Sequence, residues 1–376
     1  MSLKFAVGDL TIHRIIEQET TFLPALEMLP GLTPELLAEN RSWMRDAGAL
    51  DDKDVLILCF QSYVVKTPHH TILIDSCIGN DKPRPQRPKW NMKTDDTYAR
   101  ALAAAGISVG DIDYVMCTHL HVDHVGWNTR LDHGRWVPTF PNAHYVFDKT
   151  EFEHWTEMHA KTPVPPFADS VLPVVEAQQA EIVLNDFAIG DHTRILPTPG
   201  HTPGHVAFTF GRGKDDAVFS GDLMHSPLQT HYPELSIKFD VDQAQAALTR
   251  RNFMEWYCDT DTLCCTAHFP SPSVGKIRRR GSGFSCEAIL VRTRPLSKRF
   301  RSSRSMSMSR LFGSIGRPRP TRSTPRWAAT SCAVSRTRPL IRRACVASRG
   351  PFSSRGLRRN GSADVEVLHP VRQRQS

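Results

Sequence analysis

No run of about eighteen apolar residues occurs anywhere in the chain, which leaves no sequence candidate for a bilayer-spanning helix. The start, MSLKFAVGDL, lacks the union of a basic segment and an apolar run that an export signal needs, so a cytoplasmic protein with no membrane partner is expected. There is no C-x-x-C pair among the nine cysteines. Several of them sit in apolar stretches such as VLILCF and YVMCTH, which predicts reduced, buried thiols rather than a disulfide framework or a zinc ribbon. Acidic residues are nearly missing from the C-terminal quarter. Residues 288–376 hold 20 Arg and one Lys against two acids, a net +19, so the overall +8 leaves −11 on residues 1–287.

That asymmetry divides the chain. Residues 288–376 contain 15 Ser and no Tyr, and no hydrophobic period survives for long, so this segment is expected to be a disordered basic tail. Few aromatics are present to stack on bases, which disfavours nucleic acid as a partner. Its Arg/Ser/Pro/Ala text also matches what a GC-rich gene gives when read out of frame or past its natural stop. Residues 1–287 read instead as one folded α/β domain. FAVGD followed by LTIHRIIE predicts a hairpin turning at Gly8-Asp9. Residues 55–65 and 71–75 predict two further strands, and EIVLND, TRILPTPGH, VAFTFG, DAVFSGD and TLCCTAH predict others. Amphipathic spacing predicts helices over 94–105 and 242–257, and SVGKIRRRGSGF a last strand pair.

What the chain does have is a concentration of metal-ligating residues at strand ends. In Thr118-His119-Leu120-His121-Val122-Asp123-His124, four potential ligands follow an apolar strand. The two-residue strand period aims His119 and His121 together, while Asp123 and His124 can turn towards a neighbouring point, so one loop can serve two metal positions. PTPGHTPGH offers His201 and His205, of which one need be a ligand. SGDLMH places Asp222 at the end of an apolar strand, where an unpaired carboxylate would be costly to desolvate. TAHFP places His268 at another strand end.

Together these motifs resemble the metallo-β-lactamase superfamily, whose H-x-H-x-D-H signature is complete here and is followed in order by the other three elements. The resemblance spans about residues 5–285. It implies an αββα sandwich in which His119, His121 and His201 bind one metal, Asp123, His124 and His268 bind a second, and Asp222 bridges them. Imidazoles with few carboxylates suit two divalent ions, with zinc the leading candidate, and a hydroxide shared between them could attack a carbonyl or phosphoryl centre. Asp123 or Asp222 would then orient the nucleophile or pass on a proton. His205 is expected to support the loop.

The stretch DHVGWNTRL…GRWVPTFPNAHYVF is similar to the branch containing N-acyl homoserine lactonases and methyl parathion hydrolase. This implies a hydrolase acting on a small-molecule lactone, carboxylic ester or phosphotriester, with a homodimer left open. Lactonases of that branch often carry Tyr three residues after the bridging Asp. His225 stands there instead, as a substrate donor or a support of the site. Trp127 and Trp90, with Phe60 and Phe140, are the expected pocket walls. The competing readings are a di-iron oxidoreductase on the same fold, against which His121 speaks, and a nucleic-acid binder acting through the basic tail.

Overall fold

A computed structural model describes residues 4–190 and 192–289. The first sheet takes β1 (Lys4–Val7), β2 (Leu10–Pro24), β3 (Val55–Lys66), β4 (Thr71–Ile74) and β5 (Tyr114–Met116). A hairpin of β6 (Thr129–Asp132) and β7 (Arg135–Pro138) stands apart as its own small sheet. Then β8 (His144–Asp148) and β9 (Ala180–Val183) complete the first sheet in the order β1-β2-β3-β4-β5-β8-β9. The second sheet runs in chain order through β10 (Ala188–Ile189), β11 (Thr193–Pro197), β12 (Val206–Phe210), β13 (Ala217–Phe219), β14 (Leu263–Cys265), β15 (Val274–Arg280) and β16 (Gly283–Ala288).

Strand alternation assigns the layers. Ile72, Ile74, Met116, Phe208, Phe210, Ala217, Phe219 and Cys265 form one buried cluster drawn from both sheets, which is the inter-sheet core. The residues one step along the same strands face the other way. Leu73, Val115, Tyr145 and Phe147 pack on the outer face of the first sheet against Tyr98, Leu102, Phe167 and Val174 of its helices. Ala207, Val218, Cys264 and Ile277 do the same on the second sheet against Phe253, Met254 and Tyr257. Helices therefore cover both outer faces. This is the αββα sandwich that the sequence resemblance implied.

The helices begin where their chemistry directs. Asp242 caps the helix Gln243–Tyr257 by accepting from Gln245 N at 2.9 Å, and Thr33 caps Pro34–Asp46 by accepting from Leu36 N at 3.2 Å with proline in the first turn. The expected helix over 94–105 is shorter, Thr97–Ala104, with Tyr98 and Leu102 buried. Of the basic segment expected from residue 288 on, only Ala288 and Ile289 lie within the described residues. Both extend the sheet past the expected boundary: Ala288 pairs with Gly275, and Ile289 N donates to Val274 O at 3.0 Å. Among the described residues no helix is long and apolar enough to cross a membrane.

Candidate metal centre

Parallel pairing brings the chemically capable loops to one edge. β4, β5 and β8 run parallel in the first sheet, as do β13 and β14 in the second. Asp75 follows β4, the His119–His124 loop follows β5, Asp222 follows β13 and His268 follows β14. These are carboxyl ends of parallel strands, where open α/β sheets leave a crevice. The 197–205 loop joins β11 to β12, and Val206 N donates to Thr118 O at 2.9 Å, linking the two sheets beside the first histidine loop.

Two groups of donor atoms converge there. His119, His121, His201 and Asp222 offer atoms within 4.8 Å of one another, as do Asp123, His124 and His268. His121 Nδ1 lies 3.1 Å from His119 Nε2 and 2.9 Å from His201 Nε2, and His124 Nε2 lies 3.3 Å from His268 Nε2. Asp222 reaches both groups with different oxygens. Its Oδ2 is 3.5 Å from His119 Nε2 and 3.2 Å from His201 Nε2, while Oδ1 is 3.0 Å from His124 Nε2 and 2.9 Å from His268 Nε2. Asp123 is partly exposed, its Oδ2 3.7 Å from His268 Nε2.

The outward ring nitrogens are anchored, which aims the inward ones. His124 Nδ1 is held by Asp75 Oδ2 at 2.9 Å, His201 Nδ1 by Asp240 Oδ1 at 2.8 Å, and His268 Nδ1 by Cys59 O at 2.8 Å. His119 Nδ1 meets Thr118 Oγ1 at 3.1 Å, and that hydroxyl in turn donates to Asp75. Such outer partners fix tautomer and orientation in metal-binding histidines. His205 faces elsewhere: its Nε2 accepts from Asp222 N at 3.0 Å, and its Nδ1 points at Thr198 O. It supports the loop that carries Asp222. Gly221 makes this approach feasible, because with φ at +51° a Cβ there would fall 2.7 Å from both His205 Nε2 and Thr118 Oγ1.

Electrostatics test whether the donor set suits a cation. Burial drives the imidazoles of His119 and His121 well below their ordinary 6.5, so both are neutral ligands-in-waiting. Burial also opposes charge on His124, His201 and His268. The carboxylates of Asp222, Asp75, Asp240 and Asp123 outweigh it, holding His201 at about 9 and the other two above their ordinary value. Burial works against ionised Asp222 as well, yet the ring of histidines keeps its carboxyl well below 3.8. The carboxylates of the cluster therefore favour positive charge in a buried place, as a bound cation would supply. Facing imidazole nitrogens around a shared carboxylate fit one or two divalent cations of the zinc type.

His225 packs parallel to His268 with ring centroids 5.0 Å apart, and its Nε2 lies 3.0 Å from Asp222 Oδ2. Burial pushes its imidazole down to about 4. The neutral ring therefore spends its one N–H on Asp222, and Nδ1 has no hydrogen-bond partner among the described residues.

A cleft of about 160 Å³ opens over the cluster, with Phe60, Trp90, Phe22, Phe239 and Arg87 around His121, Asp123, His201, Asp222, His225 and His268. Trp90 thus lies where the sequence reading placed it. Trp127 does not: its ring stacks on Tyr98 at 5.2 Å, and its Nε1 donates to Glu17 Oε1 at 2.8 Å, turning it into the body of the domain. Phe140 is fully buried in the helix-covered core of the first sheet. A larger open depression of about 620 Å³, lined by Asp216, Trp256 and Lys276, contains none of the clustered histidines.

The sequence reading missed Asp75, Asp240, Glu151 and Arg87. The strand predicted over 71–75 ends in Asp75, but β4 stops at Ile74 and Asp75 follows it in the left-handed region, φ +55°; a lone Asp closing a strand carries no sign of this role. Glu151 is buried on the first turn of Lys149–Lys161 and accepts from Leu120 N at 3.0 Å and Gly204 N at 3.1 Å, tying the two histidine loops together.

Comparison with known proteins agrees with this architecture. The family model described as "Metallo-beta-lactamase superfamily" matches residues 61–268, more than half of the chain. An N-acyl homoserine lactonase of Bacillus thuringiensis is 27% identical over 114 residues, which is 30% of this chain and 39% of the lactonase. The chain thus aligns with well under two thirds of that relative's length. Two solved structures share the fold at low identity. The hydrolase AbOPH of the beta lactamase superfamily has a TM-score of 0.65 at 22% identity, covering 77% of this chain and 98% of its own. AidC, a dizinc quorum-quenching lactonase solved with its product N-hexanoyl-L-homoserine, has 0.63 at 21%, with the same coverage. The ordered histidine and aspartate motifs, the αββα layers and the family match together place this chain in the metallo-β-lactamase superfamily.

Proposed function

We propose that the protein is a binuclear metal-dependent hydrolase that cleaves an ester-like bond in a small molecule, with lactones and carboxylic esters ahead of phosphotriesters. The observation that carries this reading is Asp222, whose two oxygens face two separate groups of imidazole nitrogens. His119, His121 and His201 would hold one ion, and Asp123, His124 and His268 the other. Bound there, two dications would polarise the oxygen under attack and acidify a water between them.

The chain's own groups supply the rest. Asp75 and Asp240 keep His124 and His201 oriented and neutralise part of the added charge. Asp123, with its side chain 14% exposed, is the carboxylate best placed to take a proton from the attacking water and return it to the departing alkoxide. His225 orients Asp222 through its N–H, which leaves Nδ1 as an acceptor and favours the supporting role, or a proton-accepting one, over the substrate-donor role that the sequence left open beside it. Phe60 and Trp90 exclude water from one side and receive the apolar part of an acyl or aryl group. Hydrolysis consumes one water and releases an acid and an alcohol.

The test is a panel of γ-lactones with short and long acyl chains, p-nitrophenyl esters and a paraoxon-type phosphotriester, assayed on protein purified without chelator. Turnover of lactones or carboxylic esters above the phosphotriester is expected. Failure on all three, with a thioester or aryl sulfate cleaved instead, would overturn the proposed substrate class.

A further inference from the structure

The cleft carries an unpaired cation that the hydrolytic chemistry does not use. Arg87 lies in the segment Asp81–Lys93, and its guanidinium carbon stands 5.1 Å from the ring centroid of Phe22 and 5.2 Å from those of Trp90 and Phe239. Its side chain makes no hydrogen bond or ion pair with any described residue. The other cationic side chains of the same segment are engaged: Arg84 and Lys82 pair with Asp169 at 2.8 and 3.5 Å, and Lys93 pairs with Glu17 at 2.6 Å. Lys89 is occupied by Thr20 and Thr21.

The segment is also built to hold still. Pro83, Pro85 and Pro88 restrict its backbone, Trp90 Nε1 donates to Gln18 Oε1 at 3.1 Å, and Arg84 N donates to Asn91 Oδ1 at 2.8 Å. Aromatic faces attract a guanidinium and limit its rotamers while leaving its in-plane N–H donors free. Phe22, Arg87 and Trp90 line not only the metal cleft but also an adjoining groove of about 300 Å³. Arg87 therefore stands where the reacting end of a substrate gives way to its remote end.

We propose that Arg87 is an anion subsite, and that the preferred substrate is an ester or lactone bearing a carboxylate a few bonds from the reacting carbonyl. This rests on the hydrolase reading above and narrows it. A planar carboxylate matches the guanidinium fork with two parallel hydrogen bonds, and partial desolvation by three aromatic rings strengthens such a pair. A neutral acyl chain would leave the cation buried under substrate without a partner, which is a penalty rather than a gain.

The experiment compares p-nitrophenyl hydrogen glutarate with its uncharged counterpart, methyl p-nitrophenyl glutarate, on the metal-loaded full chain and on Arg87→Met and Arg87→Lys. The wild-type protein is expected to favour the anionic ester. Arg87→Met should lose about tenfold to a hundredfold in kcat/KM on that ester, the range for a hydrogen bond to a charged group, while the neutral ester gains, because its unpaired cation is gone. Arg87→Lys should recover part of the loss. Neutral-ester turnover at or above the wild-type level also shows that the variant folds. An equal fall on both esters, or no change on either, means that Arg87 only packs against the rings, and the subsite is overturned. If neither ester is cleaved, the hydrolase reading fails separately. The subsite is then decided by equilibrium binding of the intact anionic ester: tenfold weaker binding to Arg87→Met supports it, and equal binding refutes it.

Discussion

Asp222 and His225 touch each other, yet the roles proposed for them differ, so their variants separate metal binding from chemistry. Removing the Asp222 carboxylate leaves five imidazoles, His225 among them, without the charge they surround. Asp222→Ala is expected to lose metal and to show no turnover. His225→Ala should keep its metal, because the ring donates to Asp222 rather than completing either group, and should change rate or substrate preference instead. Metal analysis beside steady-state kinetics on both variants checks this. Equal metal loss would make His225 a ligand in its own right, a role its closeness to Asp222 and His268 permits geometrically. The sequence pointed to Asp222 through the strand end before it, but it carried no signal for the tautomer of His225. That depends on a side chain three residues away and on complete burial.

At the scale of elements, what was legible follows from period and spacing. The Gly8-Asp9 hairpin, β3, β4 and β11 to β14 could be read because apolar alternation and polar strand ends leave a local trace. The histidine loop was legible because four potential ligands in six residues have few other uses. Trp127 shows the limit. Its distance in sequence from His124 is short, but the turn at Gly126–Asn128 swings the ring onto Tyr98, and only the path of the chain decides that. Glu151 looked like any helical acid. In the structure it accepts from backbone N–H groups of both histidine loops, and Gly204 packs so closely that a Cβ there would stand 2.1 Å from Glu151 N. Replacing one carboxylate oxygen with an amide turns an acceptor against a backbone donor. Glu151→Gln should therefore cost about 1–3 kcal/mol, the usual penalty for a buried group left unpaired, and weaken metal retention. Urea unfolding of the two proteins measures it. A change below about 0.5 kcal/mol, within the ordinary range for surface substitutions, would remove Glu151 from the account.

For the whole molecule, the division of charge matters most. Among the described residues every clustered side chain lies at or before His268, and the second sheet closes with Ala288, so a complete donor set precedes the strongly basic segment. A chain ending at Ile289 is expected to retain its metal and to keep kcat/KM within a few-fold of the full-length protein. Its behaviour at low salt should also change, because the −11 of residues 1–287 no longer faces a cationic segment on neighbouring molecules. Loss of activity with normal metal content would show that the basic segment takes part in the pocket or in a required assembly.

The central claim is that buried carboxylates and facing imidazoles form a two-metal hydrolytic centre. Metal content determined together with turnover tests it most directly, on protein purified without chelator, then stripped, then titrated with zinc. The account predicts close to two equivalents of divalent metal per chain, loss of ester or lactone hydrolysis on stripping, and recovery that is complete only near the second equivalent. An active preparation with metal content near zero, or full activity surviving removal of the metal, would contradict it.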